Sequence, residues 1–164
     1  MSEKISILGF GNPARNDDGI GPYVVQQLSE ITPAHEGLEI IDMGTSAFEV
    51  LFRLKGSTEM VVVDAVVNSG KPEGTLFQLP AEEVEAQVED DPLVFLHSLK
   101  WNQALYYAKN MLEADYPANR ITVYLIAVED IGFGVDLSEP VKAAGDKLIA
   151  RLRETYMKDA VAHV

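Results

Sequence analysis

The sequence predicts an α/β protein: a single-domain, three-layer sandwich whose mainly parallel, twisted five-stranded sheet has one antiparallel strand and helices on both faces. Three observations support this. Five short apolar runs recur along the chain, segments with helical spacing separate most of them, and one link is too short for a helix. Runs without polar alternation are typical of strands buried on both faces. Strands that alternate with helices build a parallel sheet.

The first strand is ISILGF, from Ile5. GPYVVQQLSEI follows and places Val24, Val25, Leu28 and Ile31 on one helical face. LEIIDM, from Leu38, reads as the second strand, and AFEVLFRL, residues 47–54, as a short second helix. MVVVDAVV, from Met60, is the third strand. The link after it, NSGKPEG, has no room for a crossover helix. A hairpin is therefore expected there, with GTLFQL, from Gly74, as the antiparallel strand. The acidic stretch PAEEVEAQVEDDP, Pro80 to Pro92, reads as a solvated loop or surface helix.

HSLKWNQALYYAKNML, from His97, forms a long third helix bearing Leu99, Leu105, Ala108 and Leu112. ITVYLIAV, from Ile121, is the fifth strand. The last helix is SEPVKAAGDKLIARLRETYM, with Ser138 as N-cap and Glu139 and Pro140 suited to its first turn. No repeat or Gly/Ser linker interrupts the order, so residues 1–164 read as one domain with a flexible tail at 158–164.

The chain has 164 residues, 47% of them hydrophobic, which is enough to bury a core. Its 26 acidic against 13 basic residues give a formal charge of −13. That charge repels phosphate backbones and anionic lipid, so neither nucleic acid nor a membrane surface is an expected partner. No apolar run reaches the length of a membrane span. The absence of cysteine excludes disulfides, zinc–thiolate sites and a cysteine nucleophile. MSEKISILGF does not read as a signal peptide, and a cytoplasmic location is expected.

The densest motif is ILGFGNPARNDDGIGP, Ile7 to Pro22. Gly9, Gly11 and Ala14 fit the loose dinucleotide pattern G-x-G-x-x-G/A. That pattern needs a helix starting at the glycines, so that its N-terminus meets a pyrophosphate. Here Pro13 intervenes, and two acids stand where a phosphate would want N–H groups alone. Asp17 and Asp18 are better read at a helix start, where one of them caps orphan N–H groups. The other is then left to face the crevice beyond the carboxyl ends of the strands, where α/β folds bind ligands.

Asp64 follows three valines at the end of the third strand, where a carboxylate is costly unless paired, hydrogen-bonded or metal-bound. His35 and His163 lie in a polar loop and the tail, whereas His97 opens the third helix. Asp18, Asp64 and His97 together make an oxygen–nitrogen set suited to a borderline divalent ion such as nickel or zinc. Three protein ligands leave positions open, which favours catalysis or substrate capture over a structural role. Other chemistries lack their parts. Ser98 points about 100° from His97 on a helix, no G-x-S-x-G occurs, and no lysine follows the fifth strand as a phosphoacceptor receiver would need.

These residues resemble the nickel–iron hydrogenase maturation endopeptidases, over Ile5 to about Leu152. GFGNPARNDDGIGP resembles that family's G-x-G-N…D-D/E-x-x-G opening, IIDMGTSAFEVL its D-G-G-T segment, VVVDAV its third-strand aspartate and LHSL its histidine. Met43 replaces the first glycine of D-G-G-T, and Ala127, Val128, Glu129 and Asp130 stand where a Gly-x-Gln/Glu-Pro turn is usual.

The resemblance implies a metal site of Asp18, Asp64 and His97 that recognises nickel already inserted in the hydrogenase large-subunit precursor. It further implies removal of a C-terminal extension from that precursor in the cytoplasm. Whether the metal activates water or only marks the substrate for an aspartyl-protease mechanism is open from sequence, as is substitution by another divalent ion. Asn12 and Asp17 are read as supporting groups, and Asp42, Gly44 and Thr45 as part of the substrate-facing segment. Two rivals remain at this stage. One is a nickel-binding chaperone without hydrolysis, and the other is an endopeptidase of this fold acting on another protein. Phe133 and Val135, in IGFGVDL after the fifth strand, are candidate precursor contacts.

Overall fold

The computed structural model describes residues 4–32, 37–45, 59–80, 120–129 and 131–156. Its strands are β1 (Ile5–Phe10), β2 (Leu38–Gly44), β3 (Glu59–Val66), β4 (Leu76–Pro80) and β5 (Ile121–Ala127). A 3-10 turn at Asn16–Gly19 leads into helix α1 (Ile20–Ile31), and the last described helix is α2 (Glu139–Tyr156). The sheet order is β2-β1-β3-β5-β4. Pairings β1–β2, β1–β3 and β3–β5 are parallel, and β4 runs antiparallel to β5.

The expected antiparallel strand is present, but it does not form a hairpin with β3. Strand β5 lies between them and pairs with β3 from Met60↔Ile121 to Val66↔Ala127. The link must cross two strand spacings, roughly 10 Å, and residues 67–75 reach that far. The link fastens to the end of β5 through Gly74 N–H to Ala127 O and Ala127 N–H to Thr75 O, at 2.8 and 2.9 Å.

The central strands explain the uninterrupted apolar runs. Ile7, Leu8, Val61, Val62, Val63, Val123 and Ile126 are all fully buried, so both faces of the sheet's centre are out of water. Burial of each such side chain is worth about 1.5–3 kcal/mol. Ile7, Val61, Val63, Tyr124 and Ile126 form one core with Ile20, Val24, Val25 and Leu28 of α1 and Val141, Leu148 and Leu152 of α2. Both described helices thus cover the same face. The helices read at 47–54 and 97–112 lie outside the described residues. Ile31, expected on the buried face of α1, is 43% exposed, because it is the last helical residue before the chain turns extended at Thr32.

The two helices meet closely. A Cβ on Gly145 would lie 2.7 Å from Ile20 Cδ1, so α2 lacks a side chain where α1 crosses it. At the rim, the Tyr23 hydroxyl donates to Asp146 Oδ1 at 2.7 Å. Burial first, and then the Asp146 carboxylate that accepts its proton, push the Tyr23 phenol up to about 12. Burial, followed by Glu59, likewise pushes Tyr156 up to about 12.

Candidate active site

The chain leaves β1 at Phe10 and returns to the sheet immediately, because glycines allow backbone to touch backbone. A Cβ on Gly21 would lie 2.1 Å from Phe10 O and 2.8 Å from Val63 O. One on Gly9 would lie 2.5 Å from Gly21 O. These glycines therefore pack the start of α1 against the carboxyl ends of β1 and β3. The helix begins at Ile20, well past the G-x-G pair, after the 3-10 turn.

Neither acid of the DD pair caps α1, whose N-cap is Gly19, with no side-chain cap. This corrects the expectation that one of them would. Asp17 is 1% exposed and reaches away to α2. Its Oδ1 accepts the Ser138 N–H at 2.7 Å, and its Oδ2 accepts the Ser138 hydroxyl at 2.9 Å. Ser138 also contacts Glu73 through the same hydroxyl. Ser138 is the N-cap as read from sequence, since its carbonyl accepts the first helical bond from Lys142 N–H at 2.9 Å. Asp17 therefore sets its charge at the N-terminus of α2, where the helix dipole favours it.

Asp18 is half-buried and turns back on its own loop. Its Oδ2 accepts the Asn12 N–H at 2.9 Å, and the Asn12 side chain in turn accepts the Ala14 N–H at 2.9 Å. Oδ1 of Asp18 makes no hydrogen bond among the described residues. Asp64 occupies the face of β3 shared by Met60 and Val62, and its Oδ1 accepts the Ala65 N–H at 2.8 Å. The 3-10 turn carrying Asp18 packs on β3. Asp18 and Asp64 thus stand at one carboxyl edge of the sheet, as the strand order requires.

His97 lies outside the described residues. Among the described residues, no group of three or more histidines and carboxylates is placed to hold a metal ion. Asp18 and Asp64 offer oxygen donors at that edge, and a nitrogen ligand would have to come from beyond the described chain.

The D-G-G-T counterpart has a local structural explanation. Asp42 Oδ1 accepts the Gly44 N–H at 2.9 Å, and Oδ2 accepts the Gln26 amide at 3.0 Å, tying β2 to α1. Gly44 takes φ +54, a conformation that glycine adopts without strain. Its carbonyl accepts the Gly11 N–H at 2.9 Å. Met43 is 5% exposed, so the fold houses a side chain where the family motif has glycine. Thr45 follows, exposed.

One relationship was not legible in the sequence. The loop at 131–138 is stitched to the Asp18 loop along its length. Gly134 N–H donates to Ala14 O at 2.9 Å, and Asn16 N–H donates to Gly134 O at 2.8 Å. Arg15 Nε donates to Ile131 O at 2.9 Å, and Asp136 N–H donates to Asn16 Oδ1 at 3.3 Å. The faint signal was Asn16, a residue type tolerant of the positive φ of 47 that it adopts.

Fold and site define an α/β protein with a carboxylate-bearing site beyond the ends of its parallel strands. The chain belongs to the hydrogenase maturation protease family, whose HycI model matches residues 22–155. It is similar to the hydrogenase 2 maturation protease of Escherichia coli K12, with 26% identity over 159 residues, covering 93% of this chain and 92% of that one. Among solved structures it resembles the hydrogenase maturating endopeptidase HybD from E. coli, with a TM-score of 0.71 and 26% identity. That match covers 93% of this chain and 94% of the other. A hydrogenase 2 maturation peptidase from a Thaumarchaeota archaeon gives a TM-score of 0.66 at 25% identity, over 93% and 97% of the two chains. The family is one of proteases, so the expected hydrolase class holds. No described helix is long and apolar enough to cross a membrane.

Proposed function

We propose that this protein is a cytoplasmic endopeptidase that removes the C-terminal extension of a nickel–iron hydrogenase large-subunit precursor after nickel insertion. The observation that carries the reading is the meeting of the Asp18 loop and the Asp64 strand end at one sheet edge, in a chain of the maturation protease family.

The nickel belongs to the substrate. Asp18 and Asp64, with His97 as the nitrogen donor, receive the precursor's metal and so license cleavage only of loaded precursor. Asp18 is the general base in this reading, because one of its oxygens is held by Asn12 while the other is left for water or metal. The water it deprotonates attacks the scissile carbonyl, and the amine of the extension leaves with a proton.

The test mixes purified protein with precursor, with and without nickel, and follows loss of the extension by mass spectrometry. Cleavage of loaded precursor only, abolished in Asp18→Ala and His97→Ala, is the expected result. Nickel binding without cleavage would replace this reading with that of a chaperone. Cleavage indifferent to nickel would point to another protein substrate.

A further inference from the structure

We propose that Phe133–Gly134–Val135 is the edge on which the polypeptide substrate adds itself as an extended strand. The inference deepens the endopeptidase reading and rests on it. Phe133 is 95% exposed and Val135 80%, against 43% for the next most exposed large apolar side chain described. Single exposed apolar residues need no explanation. Two of them at i and i+2, flanking a backbone bridge whose outer side is unpaired, do, because such an edge invites association that proteins ordinarily prevent.

The backbone explains why this strip is an edge. Gly134 gives both its N–H and its C=O to the Asp18 loop, in a parallel bridge opposite Arg15. The chain bends at Phe133 and at Val135, but the trans peptide planes on either side of Gly134 turn the C=O of Phe133 and the N–H of Val135 away from the Asp18 loop, and neither residue makes a hydrogen bond among the described residues. A strand laid there would bond to the backbone and pack its side chains on Phe133 and Val135, the mode of peptide recognition by β-strand addition.

The surroundings select the occupant. Glu129, Asp136 and Glu139 are exposed in the sequence flanking the strip, the nearby Arg15 is already bonded to Ile131 O, and the chain as a whole carries −13. An extended peptide with apolar side chains on one face and basic residues flanking them is the chemical complement. The strip is also in fixed register with the site, because the residues that bind Gly134, Ala14 and Asn16, precede Asp18 in the same short loop. A strand held there is presented to Asp18 without any further ordering of this loop.

The test is steady-state cleavage of nickel-loaded precursor by wild type, by F133S/V135S, and by the apolar-conserving F133L/V135I, with sedimentation of each protein. Both side chains are exposed, so the fold tolerates either change. The expected result is a KM raised at least about tenfold in F133S/V135S, with kcat changed much less and KM restored in F133L/V135I. Tenfold is 1.4 kcal/mol, less than full burial of one such side chain typically yields. Equal KM in all three proteins overturns the inference and leaves the endopeptidase reading intact. Loss of wild-type self-association in F133S/V135S at unchanged KM also overturns it, assigning the strip to a second copy of the chain. Failure of the wild type to cleave any precursor sinks the endopeptidase reading itself, and this inference with it.

Discussion

The Asp17 carboxylate binds Ser138 twice, taking its backbone N–H at 2.7 Å and its hydroxyl at 2.9 Å, across 121 residues of sequence. It is the neighbour of Asp18, yet the two acids do different work. Asp17→Ala strips the Ser138 N–H of its partner and leaves the Ser138 hydroxyl with Glu73 alone. A loss of about 2 kcal/mol is expected, seen as a Tm lower by about 4–8 °C. Asp17→Asn retains an acceptor and loses less.

Asp18→Asn should show the reverse pattern. The amide oxygen can still accept the Asn12 N–H, so the Tm stays within about 2 °C of wild type. Processing of nickel-loaded precursor should fall by about a hundredfold or more if Asp18 is the base, as proposed above. Full processing by this variant would remove Asp18 from the site.

Gly21→Ala tests the close approach of α1 to the sheet. The new methyl would meet Phe10 O at 2.1 Å and Val63 O at 2.8 Å, both backbone atoms that cannot rotate aside. Destabilisation of about 3 kcal/mol or more is expected, measured as a shift in the urea midpoint.

Asp42→Ala should separate scaffold from chemistry on β2. It removes the acceptor of the Gly44 N–H and the Gln26 amide, both exposed bonds. The expected cost is about 0.5–1.5 kcal/mol, with kcat for the precursor within about twofold of wild type. A large kcat loss at retained stability would place Asp42 in the chemistry.

Alkaline pH should weaken the fold through its tyrosines. Tyr23 and Tyr156 hold their protons up to about 12 in the folded chain, against 10.0 for a free phenol. Between those values the unfolded state binds fewer protons than the folded one, so stability falls as pH rises. The contribution is complete below about pH 10 and lost by about pH 12. The denaturant midpoint should decline over that window, and less steeply in Tyr23→Phe/Tyr156→Phe.

The sheet was legible because its strands are buried on both faces: Val61, Val62 and Val63 leave no other reading. The position of β4 was not, because pairing with β5 rather than β3 is a tertiary choice made by a strand some 50 residues away. Asp64 could be singled out because an acid at the end of a buried strand needs a reason, and Asp18 because two adjacent acids at a helix start exceed what one cap requires. Asp17 could not be assigned, because its partner, Ser138, is distant in sequence and a local cap was the obvious use for it. Asp42 and Gly44 were legible as a motif, but their bonds to Gln26 and Gly11 were not.

The stitching between the Asp18 loop and residues 131–138 also bears on the order in which the molecule is made. During synthesis the loop at 11–18 emerges first and the strip at 131–138 more than a hundred residues later. Until that strip and the start of α2 arrive, Asp17 has no Ser138 and Asn16 has no Gly134 to bind. Chains fold from the N-terminus as they emerge, and contacts this distant in sequence close late. The sheet edge that carries Asp18 is therefore completed only after residues 131–138 have left the ribosome, so a nascent copy shorter than that holds the Asp18 loop without its partner strip.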